Sequence, residues 1–112
     1  MKLQQQQSAF AQDVAKLINH IFDQGYSVTL GEAFRTAEQA DIYAKEGKGI
    51  KDSFHCKRLA IDLFVFDDQG NYLHNAMDYK EFGIFWESLN EKNRWGGNFP
   101  RVDGVHFERR EE

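Results

Sequence analysis

A chain of 112 residues has room for one hydrophobic core and not for two. A hydrophobic share of 41% with 14% aromatics describes a globular interior, and no apolar run approaches the ~20 residues of a membrane-spanning helix. The formal net charge is −4, and the basic pair Arg109-Arg110 is followed at once by Glu111-Glu112, which argues against nucleic acid as a partner and against unaided adhesion to an anionic surface.

Cys56 stands alone, which excludes an internal disulfide and any CxxC metal site, and its default reading is a reduced, partly buried thiol. Met1-Lys2-Leu3 leads into Gln4–Gln7 rather than into an apolar stretch. The expectation is a protein made in the cytoplasm without a signal peptide, needing another route to act outside. Residues 1–112 are read as a single domain, with 1–7 as a frayed lead-in.

In chain order, the first predicted element is a helix from about Ser8 to Gln24. Phe10, Val14, Leu17, Ile18 and Ile21 form its apolar stripe, His20 lies off the stripe toward solvent, and Gly25 stops it. Tyr26–Leu30 alternates as a strand. A second helix opens at Thr36, with Gln39 completing a capping box, and ends near Gly47 or Gly49; Ala37, Ala40, Ile42, Tyr43 and Ala44 give it a modest apolar face. A polar loop over Gly47–Phe54 delivers Ser53 and His55 to the next strand. That strand, Leu59–Phe66, is the most hydrophobic run of the chain and reads as buried on both faces, with a turn at Asp67–Asn71 after it. Asn71–His74 returns as a short antiparallel strand. A third helix spans about Met77 to Asn90 on the stripe Tyr79, Phe82, Phe85, Trp86 and Leu89. Trp95–Pro100 reads as an ordered loop and Gly104–Arg109 as the last strand.

Asp62 lies inside the Leu59–Phe66 run, where an unpaired charge costs several kcal/mol or more, so it must be paired, protonated or bound to a metal. His55, seven residues upstream, and His106, in Asp103-Gly104-Val105-His106, complete a set of two histidines and a carboxylate that suits zinc with one position left open. Asp103 is the candidate general base and Arg35 the candidate oxyanion partner. Each residue also has an ordinary reading. Asp62 could pair with Arg35 or Arg58, His55 could be a loop histidine, His106 a satisfied core histidine, and Asp103-Gly104 a turn. A non-haem iron site is the chemical rival, since it too uses two histidines and a carboxylate.

The segment Ser53-Phe54-His55-Cys56-Lys57-Arg58-Leu59-Ala60-Ile61-Asp62 resembles the S-x-H-x-x-G-x-A-x-D motif of the VanY-type D-alanyl-D-alanine carboxypeptidases. That family includes the L-alanyl-D-glutamate endopeptidases found as phage endolysins. Asp103–Glu108 resembles its D/E-x-x-H motif, Trp95-Gly96-Gly97-Asn98-Phe99 its W-G-G-x-F/W segment, and Gly31–Thr36 is similar to the G-Y-R-S type segment that carries an arginine near the substrate. The motifs follow the family's order over about residues 26 to 109.

The resemblance implies that His55, Asp62 and His106 hold Zn2+, that Asp103 is the catalytic base, and that Arg35 polarises the scissile carbonyl. It implies a substrate wall at Trp95 and a supporting or substrate-contacting role for Ser53. Glu108 shares the face of His106 on an ideal strand and could support that ring, act as a rival base, or line the rim; support of the ring is the first reading. Arg58 stands where the family prefers Gly. The implied fold is α+β, a small antiparallel sheet with flanking helices, as in lysostaphin-like peptidases and the hedgehog signalling domain. The implied function is a zinc peptidase acting on the stem peptide of bacterial peptidoglycan. Both the L-alanyl-D-glutamate endopeptidase and the D-alanyl-D-alanine carboxypeptidase activity are compatible with it. A monomeric phage or prophage lysis enzyme released by a holin-type route is expected, without membrane insertion. The alternative is a non-catalytic, zinc-stabilised cell-wall-binding or morphogenesis module.

Overall fold

The computed structural model describes residues 1–48 and 53–111. Among the described residues, three α-helices, α1 (Leu3–Asp23), α2 (Ala37–Lys45) and α3 (Lys80–Leu89), accompany four strands, β1 (Ser27–Leu30), β2 (Ala60–Phe66), β3 (Asn93–Trp95) and β4 (His106–Arg109). The strands form one antiparallel sheet in the order β1-β2-β4-β3. The fold is α+β, as expected from the sequence.

Strand alternation divides the sheet into two unlike faces. Ile61, Leu63 and Val65 of β2 and Phe107 of β4 are buried against Phe10, Leu17 and Ile21 of α1 and against Phe82 and Trp86 of α3. Phe10 and Phe107 each meet the Trp86 ring edge-on, at centroid separations of 5.7 and 6.1 Å. The opposite face carries Asp62, Phe64 and Phe66 of β2, all only half-buried. The expectation of a strand buried on both faces is therefore corrected. Helices α1 and α3 cover one face, and on the other Asp62 lines a cleft where its carboxylate keeps partial access to water.

Other boundaries differ for local reasons. The glutamine run is not a frayed lead-in but the first turns of α1. Gln6 is 3% exposed, and the Gln7 side-chain amide donates to the Lys57 carbonyl at 2.8 Å. His20 is not solvated: it stacks on Phe85 at 3.8 Å and pairs with Glu81 at 2.6 Å. Thr36 caps α2 by accepting from the Gln39 N–H, yet only Ala40 of that helix is fully buried. Residues 49–52 of the expected Gly47–Phe54 loop lie outside the described residues. Its end enters a 3-10 turn over Phe54–Lys57 that leads into β2. The return after the Asp67 turn is reduced to a single bridge, Phe66 to Tyr72. The third helix begins as a 3-10 turn over Ala76–Tyr79. Trp95 closes β3 instead of opening a loop, and β4 starts at His106 instead of Gly104. No helix among the described residues is long and apolar enough to cross a membrane.

Candidate metal centre and active site

Three stretches of chain converge on the open face of the sheet. Asp62 and His106 are direct partners in the β2–β4 register, so their side chains leave the sheet on the same side. Two pairs further along, and so on the same face, Ala60 opposes Glu108, and Glu108 in turn opposes Arg94 of β3. His55 arrives from the 3-10 turn before β2, where the Ser53 hydroxyl caps the turn by accepting from the His55 N–H at 3.2 Å. That turn ends at Arg58, the one non-glycine residue with positive φ among the described residues (φ 55°), and its guanidinium stacks over Phe34 at 4.1 Å.

The chain leaving β1 is laced to this corner by its backbone. Gly31 N–H donates to the Asp62 carbonyl at 2.8 Å, Asp62 N–H to the Glu32 carbonyl at 3.0 Å, and Arg35 N–H to the His55 carbonyl at 3.2 Å. Only glycine permits the approach at position 31, because a Cβ there would lie 2.7 Å from the Phe64 ring and 3.0 Å from the Asp62 Cβ.

His55 Nε2 lies 3.2 Å from His106 Nδ1, and Asp62 Oδ1 lies 3.4 Å from each of those nitrogens. Bonds of about 2.0–2.1 Å in a tetrahedral zinc site place neighbouring donors about 3.3 Å apart. Asp62 Oδ1 is buried and makes no hydrogen bond among the described residues, as an oxygen reserved for another partner would be. His106 turns its other nitrogen, Nε2, to Glu108 Oε1 at 2.7 Å, which leaves Nδ1 free to face the cluster. The donor set therefore fits a zinc ion in spacing, in chemistry and in its spare coordination capacity.

The electrostatics are those of a tightly coupled cluster. Burial opposes the charge on Asp62, but the facing His106 and His55 rings outweigh it and hold the carboxyl at about 2. Burial likewise opposes a charged His106, yet Asp62 and Glu108 push its pKa up to about 9. Glu108 is lowered despite its burial, because His106 and Arg94 both stabilise its anion; the Arg94 guanidinium binds the Glu108 oxygen that His106 does not use.

A cleft of about 740 Å³ opens over the cluster, and Ser53, His55, Asp62, Asp103, His106 and Arg35 all line it. Asp103 is exposed as a residue, but the cleft walls remove its carboxyl from water and raise its pKa. Asp62 adds to the rise, against the pull of His106. Its placement depends on Gly96, where a Cβ would meet the Asp103 carbonyl at 2.3 Å. Arg35 is half-buried, with Nε and Nη2 at 2.7 and 2.6 Å from Glu32 Oε1. A second depression, along α3 between Met77 and Ser88, is lined by no comparable cluster.

Residues 46–109, more than half of the chain, match the model of the peptidase family described as D-alanyl-D-alanine carboxypeptidase. The chain belongs to that peptidase family. Among solved structures it is similar to the Serratia marcescens L-Ala D-Glu endopeptidase ChiX, with a TM-score of 0.69 and 17% sequence identity over 88% of this chain and 79% of that one. At that identity the likeness establishes a shared fold. None of the curated protein sequences matches the chain.

The family's D/E-x-x-H and S-x-H motifs thus meet in one cleft, while its tryptophan does not join them. Trp95 opposes Phe107 in the β3–β4 register, so parity sends it to the helix-covered face. It is 4% exposed, donates its indole N–H to the Gly104 carbonyl at 2.7 Å, and does not line the cleft. The substrate wall expected there is corrected to a core strut under the Gly96–Gly104 loop; Phe99, whose ring is 5.8 Å from that of His106, lines the cleft in its place. Sequence reading also passed over Glu32 and Arg94. Arg94 carried a readable signal, since it alternates with Trp95 and must face the side opposite to it.

Proposed function

We propose that this peptidase is zinc-dependent and hydrolyses a stem-peptide bond of bacterial peptidoglycan, with His55, Asp62 and His106 as the metal ligands. The observation that carries the reading is the unbonded, buried Asp62 oxygen equidistant from two imidazole nitrogens, with a further carboxylate, Asp103, on the same cleft. A bound zinc ion would supply Lewis acidity, lowering the pKa of water to about 7 and polarising a carbonyl.

The chain's own residues supply the rest. Asp103 takes the proton of the attacking water and returns it to the departing amine. A carboxyl raised by its surroundings is better matched to both transfers than an ordinary one. Arg35, held by Glu32, presents positive charge to the carbonyl oxygen as it becomes anionic. Ser53 fixes the turn that aims His55, and Glu108 fixes the ring of His106. The cleaved bond adjoins a D-amino acid, either L-alanyl-D-glutamate or D-alanyl-D-alanine.

The test is mass spectrometry of muropeptides from purified sacculi incubated with the zinc-loaded protein. New amino termini are expected, and the fragment masses identify the bond. Asp103→Ala should retain zinc and lose about 10²–10⁴-fold in rate. Intact walls in the presence of bound zinc, with no difference between wild type and Asp103→Ala, would leave a non-catalytic recognition module. The sequence likeness to phage endolysins extends the proposal to a monomeric lysis enzyme that reaches the wall by a holin-type route. Expression with and without a holin, followed as culture lysis, decides that part.

A further inference from the structure

The two histidines of the cluster are backed in the same way. Behind His106 stands Glu108, which accepts from Nε2 at 2.7 Å and is clamped from its other oxygen by Arg94. Behind His55 stands Glu32, whose Oε1 lies 3.6 Å from Nδ1 and is clamped by Arg35 through two nitrogens at 2.7 and 2.6 Å. Each half is a histidine, a carboxylate and an arginine in line. They differ in one contact: the His106 half is closed, whereas His55 Nδ1 is buried with no hydrogen-bond partner among the described residues, and Glu32 lies 3.6 Å from it. A buried ring nitrogen of this kind is costly unless it donates, and Glu32 is the carboxylate that faces it.

We propose that Glu32 is a positioning residue that acts on both His55 and Arg35 through one carboxylate oxygen. By accepting from Nδ1–H it selects the His55 tautomer whose Nε2 lone pair points at Asp62 Oδ1 and His106 Nδ1, the arrangement a metal ligand requires. By holding Arg35 Nε and Nη2 it fixes the guanidinium on the wall of the same cleft. The backbone holds Glu32 at this corner, since its carbonyl accepts from Asp62 N–H and the adjoining Gly31 is packed against Asp62. Glu32 thus ties the site of metal binding to the site of carbonyl polarisation, two functions that the fold otherwise brings from separate segments. The inference deepens the zinc-peptidase reading and rests on it for the role of the metal.

The experiment compares Glu32→Ala, Glu32→Gln and Arg35→Ala with wild type in three measurements. These are zinc affinity by chelator competition, the His55 tautomer by ring 15N NMR of the metal-free protein, and kcat and KM on muropeptides. Glu32→Ala should weaken zinc binding about 10–100-fold and replace one His55 tautomer by a mixture. Glu32→Gln keeps an oxygen that can accept from Nδ1–H but loses the charge facing Arg35. It should recover most of the zinc affinity while kcat stays low. Arg35→Ala should leave zinc affinity unchanged. Wild-type zinc affinity together with a wild-type His55 tautomer in Glu32→Ala would overturn the assignment, and the near-isosteric Glu32→Gln guards against a simple folding defect. If zinc binding responds as expected but wild-type protein leaves sacculi intact, the proposed function fails and the role of Glu32 stands. If sacculi are cleaved and Glu32→Ala binds zinc like wild type, the role of Glu32 fails alone.

Discussion

Asp62 and His106 face each other across the β2–β4 ladder, with Asp62 Oδ1 3.4 Å from His106 Nδ1 and no hydrogen bond among the described residues to occupy that oxygen. The pair is fixed by strand register, not by a flexible loop, so its separation is set before any ligand arrives. Replacing Asp62 should therefore remove metal binding without dismantling the fold. Asp62→Asn is expected to lose more than about 100-fold in zinc affinity while keeping the wild-type circular dichroism spectrum. Chelator competition reads the affinity. Retention of native affinity would mean that the carboxylate serves only as a counter-ion for the histidines.

Trp95 offers a test that separates core from substrate wall. Its ring fills the space against Gly83 and Gly97, and its indole N–H holds the Gly104 carbonyl. Trp95→Phe should cost about 1–3 kcal/mol of stability, since it leaves a cavity and an unpaired carbonyl. KM for muropeptides should not change. Chemical denaturation and steady-state kinetics on the same preparation distinguish the two roles. A raised KM with unaltered stability would restore the residue to the substrate wall.

Arg58 combines a left-handed backbone, which disfavours any residue with a Cβ by about 1 kcal/mol, with a guanidinium stacked on Phe34. The two effects oppose each other. Arg58→Ala keeps the strain and loses the stack, so it should lower the melting temperature. Arg58→Gly removes both and should melt close to wild type. Equal destabilisation by both variants would show that the stack, not the backbone, dominates at this corner.

Asp67 closes the turn after β2 by accepting from the N–H groups of Asn71 at 2.8 Å and Gln69 at 2.9 Å. The backbone N–H of Asn71 is the main reason that its carboxyl lies below the ordinary aspartate range. A depressed folded-state pKa contributes stability above the unfolded value and loses it as pH falls through the folded one. Wild-type protein should therefore lose stability between about pH 4 and the lower folded pKa through this group, and Asp67→Ala should lack that component. Denaturation midpoints measured across this range for both proteins provide the check. Parallel curves would assign acid sensitivity to other carboxylates.

Much of this architecture is written in local pattern. The stripes of α1 and α3 have helical spacing, and the apolar run of β2 with its Asp67 turn marks the central strand. Local pattern cannot report what covers a strand. The run from Leu59 to Phe66 reads as apolar throughout, yet Asp62, Phe64 and Phe66 lie on the face turned away from α1 and α3 and keep partial exposure. The Gln4–Gln7 stretch looked frayed because its partner, the Lys57 carbonyl, is 50 residues away from Gln7. The proposed metal-binding triad is legible because three awkward polar residues share one explanation. Glu32 is not, since a glutamate three residues before an arginine is ordinary until the backbone of β2 brings His55 beside it. Trp95 was misplaced because its motif was read as a loop, where parity has no meaning; as a strand residue its direction follows from that of Phe107.

The donors that converge on the open face come from residues 55, 62 and 106, and Glu32 stands behind them, so the site spans most of the chain. None of these residues can find the others until β2 has paired with β4 and the segment after β1 has closed onto Asp62. Zinc capture at the proposed centre should therefore be a readout of completed folding. A fragment that ends before β4 keeps two of the three ligands and should bind the metal no better than an unfolded peptide. During refolding, uptake of zinc should follow formation of the sheet, and a metal-sensitive dye would time the closure of the β2–β4 ladder without any label on the chain.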